Sequence, residues 1–360
     1  MHQTNTTLLD PWLEYLWQTQ ATDLHICAGS IPRVRIDGKL FAIPEQPVST
    51  SELVDAMIAG LLDHAEREEF ERVRQHDFAF SWMDRARFRA NAYHQSGRPA
   101  LALRLIPSDI PTPEKLGLPE AASGLVTRPY GLVLVTGPTG SGKSTTLAAL
   151  VGWINHNRQC HILTIEDPIE YVHPSAVALV NQREVGADCE SFSDALRAAL
   201  REDPDVVLVG EMRDLETITH TLTLAETGHL VFATLHTNDA SQTIDRIIDV
   251  FPAEQQGQVR TQLSMSLAAV ISQRLVPKVG GGRVAAYEVL IGTSAVANLI
   301  REGKVRQMRN IISTSQRDGM CVLEQSLSRL VQSGLISMES ALEATVHPED
   351  IAGLTPSGRS

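Results

Sequence analysis

Gly137-Pro138-Thr139-Gly140-Ser141-Gly142-Lys143-Ser144, followed by Thr145, sets three glycines, a lysine and a hydroxyl where a chain can wrap a phosphate. The run fits the spacing G-x-x-x-x-G-K-[ST] in full. Glycines let consecutive backbone N–H groups turn inward around phosphate oxygens. Lys143 can reach the β- and γ-phosphates of a nucleoside triphosphate, and Ser144 can hold Mg2+. The flanks agree with this chemistry. Leu132 to Val135 is an apolar run that reads as a buried strand, and Thr145 to Leu150 reads as the start of a helix. The N-terminus of that helix adds partial positive charge at the loop.

Three further segments carry groups that phosphoryl chemistry needs. Asp205-Val206-Val207-Leu208-Val209-Gly210-Glu211 is an apolar strand closed by an acid, the pattern of a Walker B element with Glu211 near Mg2+ or its waters. Thr164 to Glu170 puts Glu166, Asp167 and Glu170 after another apolar strand, and one of them can orient an attacking water. Gly228 to Thr237 is a third apolar strand with a histidine at each end, His229 and His236. A histidine at the carboxyl end of that strand can contact the γ-phosphate, although the residues alone favour satisfied structural histidines. No H-E-x-x-H spacing supports a metal site there. In the first third of the chain, Arg85, Arg87, Arg89, Arg98 and Arg104 cluster, with Arg87 and Arg89 on one face of a strand. Such arginines either form a solvated basic face or reach a neighbouring subunit's nucleotide.

The elements that position these groups fall into two parts. Residues 1–106 read as an α+β domain. Helices are expected over 11–19 and 51–75, and strands over 23–26, 33–36, 78–80, 87–92 and 100–106. Pro107, Pro111, Pro113 and Pro119 make 107–120 a linker. From 121 to 346 strands at 131–136, 161–166, 205–210 and 230–235 alternate with helices at 143–156, 193–202 and 214–227. That order implies an α/β, mainly parallel sheet wrapped by helices. Beyond Pro252 the chain reads as mostly helical, with a hairpin around Gly280-Gly281-Gly282, and 347–360 as a loose tail.

Composition bounds the function. The chain has 360 residues, enough for two domains. Its net charge of −12 and the lack of an aromatic-basic stripe disfavour a nucleic-acid motor. The four cysteines, Cys27, Cys160, Cys189 and Cys321, form no C-x-x-C pair and suggest neither a zinc module nor a disulfide framework. No signal peptide and no run of 18 apolar residues is visible, so a cytoplasmic protein is expected whose membrane role goes through a partner.

With these residues in place, a resemblance is evident. GPTGSGKST at 137–145, TIEDPIEYVH at 164–173, NQREV at 181–185, ALREDPDVVLVGEMRDLETI at 199–218 and AETGHLVFATLHT at 225–237 resemble the type IV pilus retraction ATPases of the secretion and pilus ATPase superfamily. The likeness runs from TDLHICAG at 22–29 to LIREGK at 299–304. It implies a PAS-like N-terminal domain, a RecA-like ATPase domain and a homohexameric ring that hydrolyses ATP with Mg2+. It also implies an inner-membrane platform protein as partner, and no nucleic-acid partner or membrane insertion. By matching position, Glu170 looks like the water-activating glutamate, with Glu166 the second choice. Glu211 looks like the Walker B acid and His229 like the γ-phosphate histidine, while Arg87, Arg89, Arg98 and Arg104 are candidates for trans action. The family's AIRNLIRE segment appears here as 295–302 with Ala297 in place of arginine, which leaves room for an accessory paralogue. The tetracysteine zinc module of assembly and type II secretion ATPases is missing.

Overall fold

A computed structural model describes residues 5–36, 38–83, 85–106 and 110–354. Contacts divide the chain into two compact units, Met1–Asp109 and Ile110–Ser360. The expected linker 107–120 therefore does not stand apart. Its first three residues lie outside the described ones, and from Ile110 on it belongs to the second unit. Leu118 is buried in that unit's core and the Tyr287 hydroxyl donates to Leu116 O at 3.1 Å.

The first unit contains helix α1 (Asp10–Gln18), strands β1 (Asp23–Cys27), β2 (Arg33–Ile36) and β3 (Lys39–Ala42), helices α2 (Ser51–Leu61) and α3 (His64–Val73), and strands β4 (Gln75–Trp82), β5 (Ala86–Gln95) and β6 (Arg98–Ile106). The six strands form an antiparallel sheet in the order β3-β2-β1-β6-β5-β4. Along β5, Ala86, Phe88, Ala90 and Ala92 are buried while the residues between them are partly or fully exposed, the period-two pattern of a sheet packed on one face. Trp12, Leu13 and Leu16 of α1 join that core. The single helix expected over 51–75 is two. Asp63 caps α3 and exchanges hydrogen bonds with Glu66, a capping box that starts a new helix at that point.

The second unit contains α4 (Glu120–Ser123), β7 (Gly131–Thr136), α5 (Lys143–Asn157), β8 (His161–Glu166), β9 (Leu179–Glu184), α6 (Phe192–Ala199), β10 (Val206–Val209), α7 (Leu215–Glu226), β11 (Leu230–Leu235), α8 (Ala240–Asp249), α9 (Ala253–Ser266), β12 (Leu267–Pro277), β13 (Arg283–Ile291), α10 (Ser294–Arg301), α11 (Met308–Thr314), α12 (Leu323–Gln332), α13 (Met338–Glu343) and α14 (Pro348–Leu354). Its sheet has the order β13-β12-β7-β11-β10-β8-β9, parallel throughout except for the β12–β13 hairpin. β7 is buried at every residue. Leu132 and Leu134 enter one apolar layer, Val133 and Val135 the other, as a central parallel strand covered on both faces requires. The part of the expected tail that is described is ordered: α14 buries Ile351, and Asp350 pairs with Arg309. Residues 355–360 lie outside the described ones.

Behind the sheet's hairpin edge, Glu288 of β13 is buried and its carboxylate accepts the Ala240 N–H at the start of α8 at 2.8 Å. Burial pushes this carboxyl up from 4.5 to about 7. The Ala240 N–H opposes the shift, Asp239 and Glu324 add to it and Arg309 draws it down. A carboxyl raised in the folded state is protonated there while the unfolded chain has already lost the proton. Stability is therefore fully present below pH 4.5 and falls as pH rises toward 7. Glu288→Gln keeps the acceptor for Ala240 without the titration. It is expected to melt higher than the native chain at pH 8, by an amount on the order of 2 kcal/mol, and to converge with it at pH 5. Thermal melts at the two pH values check this.

Candidate functional site

Because β7, β8, β10 and β11 run parallel, their carboxyl ends share one edge, and each end delivers one of the groups singled out in the sequence. Thr136 leads into the glycine loop and Glu166 closes β8. Glu211 follows β10 by two residues and His236 follows β11 by one. Such an edge, outside the carboxyl ends of parallel strands, is where open α/β sheets bind ligands.

The loop's geometry is set by glycine where no other residue fits. Gly137 has φ 141°, and a Cβ there would lie 2.4 Å from the Gln273 carbonyl and 2.7 Å from Ser141 Oγ. Gly142, at φ 88°, is the residue before α5 and gives that helix no side-chain cap. The first N–H groups of α5 are thus available to an anion, as at other helix N-termini that hold phosphate. The Ser141 hydroxyl is buried beside them with no hydrogen-bond partner among the described residues. This donor set fits a nucleotide's phosphates.

Lys143 is buried, and its Nζ donates to Gly137 O at 2.9 Å and Pro138 O at 3.2 Å. It also lies 3.4 Å from His236 Nδ1. Burial lowers the Lys143 ammonium from its ordinary value, opposed by the charges of Glu211 and Glu170. Glu211 accepts an ion pair from Arg213 at 2.7 Å and lies 3.3 Å from His236 Nε2. Burial pushes the Glu211 carboxyl up, but Arg213 and His236 together hold it below the ordinary range. The Nε2–H tautomer of His236 satisfies both of its contacts, donating to Glu211 and accepting from Lys143. Cation, histidine and acid are one connected set.

The acidic segment sits across from them. Glu166 Oε1 accepts from Thr164 Oγ1 at 2.7 Å and from Gln182 Nε2 at 3.3 Å, and its Oε2 accepts the backbone N–H of Glu170 at 3.4 Å. Burial raises the Glu166 carboxyl despite these bonds. Glu170 is exposed. The Tyr171 and Thr145 hydroxyls, 2.9 Å apart, tie this segment to the first turn of α5. Among the described residues no group of three or more His, Cys, Asp or Glu gathers as a metal site. Ser144 Oγ and the Glu211 carboxylate are hard oxygen donors of the kind that suit Mg2+ and would be the protein's share of a shell that phosphates and water complete.

His229 is not part of this set in its own subunit. It precedes β11 rather than following it, at the opposite edge of the sheet, roughly 20 Å away along the strand. Its Nδ1 lies 2.9 Å from Leu224 O and 3.2 Å from Thr227 Oγ1, and its carbonyl accepts the Gly131 N–H. Strand direction therefore brings His236, and not His229, to the edge that carries Lys143 and Glu211. Arg213 and Gln182 were not singled out, although both lie in motifs quoted for the resemblance. In the first unit, Arg89 and Arg104 are cross-strand neighbours on the exposed face of the sheet. Arg104 is committed to the buried Asp23 at 2.8 Å and Arg85 to Glu14 at 2.8 Å. Arg98 is exposed and lies against Gly29, and Arg87 is half-buried.

Residues 2–343 match the family described as Type II/IV secretion system protein. The chain is 54% identical to the type IV pilus retraction ATPase PilT of Pseudomonas aeruginosa over 330 residues, covering 92% of this chain and 96% of that one. The chain belongs to the type II/IV secretion system proteins, among the pilus retraction ATPases. A Twitching motility protein of Neisseria gonorrhoeae is 48% identical over 336 residues, 93% of this chain and 89% of that protein. The crystal structure of the pilus retraction motor PilT with bound ADP superposes with a TM-score of 0.89 at 48% identity, covering 96% of this chain and 99% of that one. This retraction ATPase has the α/β architecture of those relatives. Among its described residues no helix is long and apolar enough to cross a membrane.

The two histidines separate the site's geometry from the motif's. His236→Ala removes the link between Lys143 and Glu211 and is expected to lower ATP turnover at least tenfold. His229→Ala is expected to leave turnover of the intact assembly within about threefold, since truncating a partly exposed side chain far from the reacting groups changes little. Steady-state ATPase rates of the two variants, with melting curves to verify folding, check this.

Proposed function

We propose that the chain is an ATP-hydrolysing motor that works as a homohexameric ring at the inner face of the cytoplasmic membrane and powers type IV pilus retraction, docked on an inner-membrane platform protein. The observation that carries the chemical part is the chain of contacts at one sheet edge in which His236 lies 3.4 Å from Lys143 and 3.3 Å from Glu211. The retraction part is supported by relatives that cover nearly the whole chain at about half identity.

In this reading Gly137 to Thr145 hold the triphosphate, with backbone N–H groups and Lys143 Nζ taking the β- and γ-phosphate oxygens. A phosphate oxygen competes with the Gly137 and Pro138 carbonyls for Nζ and wins by its charge. Ser144 and Glu211 hold Mg2+, partly through water. Bound Mg2+ neutralises charge that develops on the phosphates. His236 reports the γ-phosphate to Glu211. Glu170 orients the attacking water, and Glu166 supports it by holding the Glu170 backbone N–H. That division follows from exposure: Glu170 is open to solvent, whereas both Glu166 oxygens are already engaged. Arg89 and Arg98, exposed and, among the described residues, without the ion pairs that hold Arg85 and Arg104, are the stronger candidates to reach a neighbouring subunit's nucleotide.

The α10 segment favours a second reading, an accessory motor beside a principal one. Val296 and Ile300 bury its apolar side in the core, and Ala297 stands where the resemblance expects arginine. The deciding experiment is genetic. Deletion should leave cells piliated but unable to retract, with twitching lost and not restored by the Lys143→Ala chain. Loss of pili would show an assembly motor instead, and unchanged twitching would favour the accessory role.

A further inference from the structure

We propose that Gln273, in β12, is a positioning residue that sets the phosphate loop for nucleotide binding; this rests on reading residues 137–145 as the nucleotide site. β12 runs parallel to β7 and outlasts it. Ser272 is the last residue registered with β7, opposite Thr136, and their hydroxyls lie 2.8 Å apart. Gln273 comes next, level with the start of the loop. Its side chain is buried, as are Ser141 and Thr146, so its amide must find partners or cost free energy. It finds them in the loop and the helix behind it. Nε2 donates to Ser141 O at 2.7 Å, and Oε1 accepts from Thr146 Oγ1 at 2.8 Å.

The consequence lies in one peptide plane. In a trans peptide the C=O and the following N–H point in opposite directions. Holding the Ser141 carbonyl toward β12 therefore aims the Gly142 N–H away from it, into the concave side of the loop where phosphate oxygens are received. Gly142 is free to flip this plane because it sits at φ 88° with no side chain, and Gln273 removes that freedom. The Thr146 hydroxyl fixes which end of the amide faces Ser141: with Oε1 taken, Nε2 is the group left to donate. Neither residue touches the reacting atoms. A donor aimed at a phosphate that is present in both bound substrate and transition state changes KM and leaves kcat in place.

The test is equilibrium binding of a fluorescent ADP analogue to the full-length assembly, with steady-state kinetics and melting curves. Gln273→Met, close in shape but without the amide, is expected to raise the Kd about tenfold and KM in parallel, with kcat within about twofold of native. Gln273→Glu, which sets an oxygen against the Ser141 carbonyl, should weaken binding at least as much. Thr146→Val should weaken it about threefold and add little to Gln273→Met in the double variant, because both act through one amide. If Gln273→Met does not fold, Gln273→Glu and Thr146→Val decide. A Kd within twofold of native in the folded variants, whatever happens to the melting temperature or kcat, overturns the inference. Lys143→Ala measured alongside separates the two levels. If it binds the analogue as the native chain does, the reading of the loop itself fails; if it loses binding while the Gln273 and Thr146 variants keep it, only the role of Gln273 fails.

Discussion

β7 is hydrogen-bonded to a parallel partner on each side, β11 and β12, and buried from Gly131 to Thr136. A strand so placed cannot turn back beside itself. The chain must leave the sheet at Thr136 and pass directly into α5, which is itself buried along most of its length. The only route is a tight loop that folds its backbone N–H groups inward, and glycine at 137 and 142 is what lets the chain take it. Everything else at the site is arranged around that exit. β8, β10 and β11, held parallel to β7, bring Glu166, Glu211 and His236 to the same edge.

Charge at this edge is balanced before any ligand is considered. A buried ammonium is costly unless it is paired and hydrogen-bonded. Lys143 has two carbonyls, a histidine nitrogen and the fields of Glu211 and Glu170. Arg213 and His236 in turn hold Glu211 ionised. A phosphate group offers Lys143 a full negative charge in place of carbonyl dipoles. Two unit charges about 4 Å apart interact by about 4 kcal/mol at an effective dielectric constant near 20, well above one more neutral hydrogen bond. A phosphate would thus displace contacts that Lys143 already has, while the buried Ser141 hydroxyl still lacks a partner among the described residues.

Much of this was legible in the sequence. The strands β7, β8, β10 and β11 announce themselves as apolar runs because they are buried on both faces. β9 does not. Leu179 to Glu184 is half exposed and rich in polar side chains, and only its pairing with β8 makes it a strand. β12 and β13 were expected only as a hairpin of unstated length, since an alternation of alanine, valine and isoleucine suits a buried helix as well. The break between α2 and α3 was hidden because Asp63 and Glu66 sit inside a continuous helical pattern. At the site, the direction of β11 pointed to His236, whereas matching by motif pointed to His229 at the other end of the same strand. The Arg213–Glu211 pair is two residues apart and could have been suspected. Gln273 could not, since 132 residues separate it from the loop it holds.

Glu170 is proposed to orient water against a phosphate held by Lys143. Its most direct test is a comparison of Glu170→Gln with the native chain by ATP binding and by single-turnover hydrolysis. The amide keeps the size of the side chain but cannot act as a carboxylate, so binding should stay within about threefold while the hydrolytic step slows by about a hundredfold or more. Hydrolysis at the native rate would contradict the account and pass the role to Glu166.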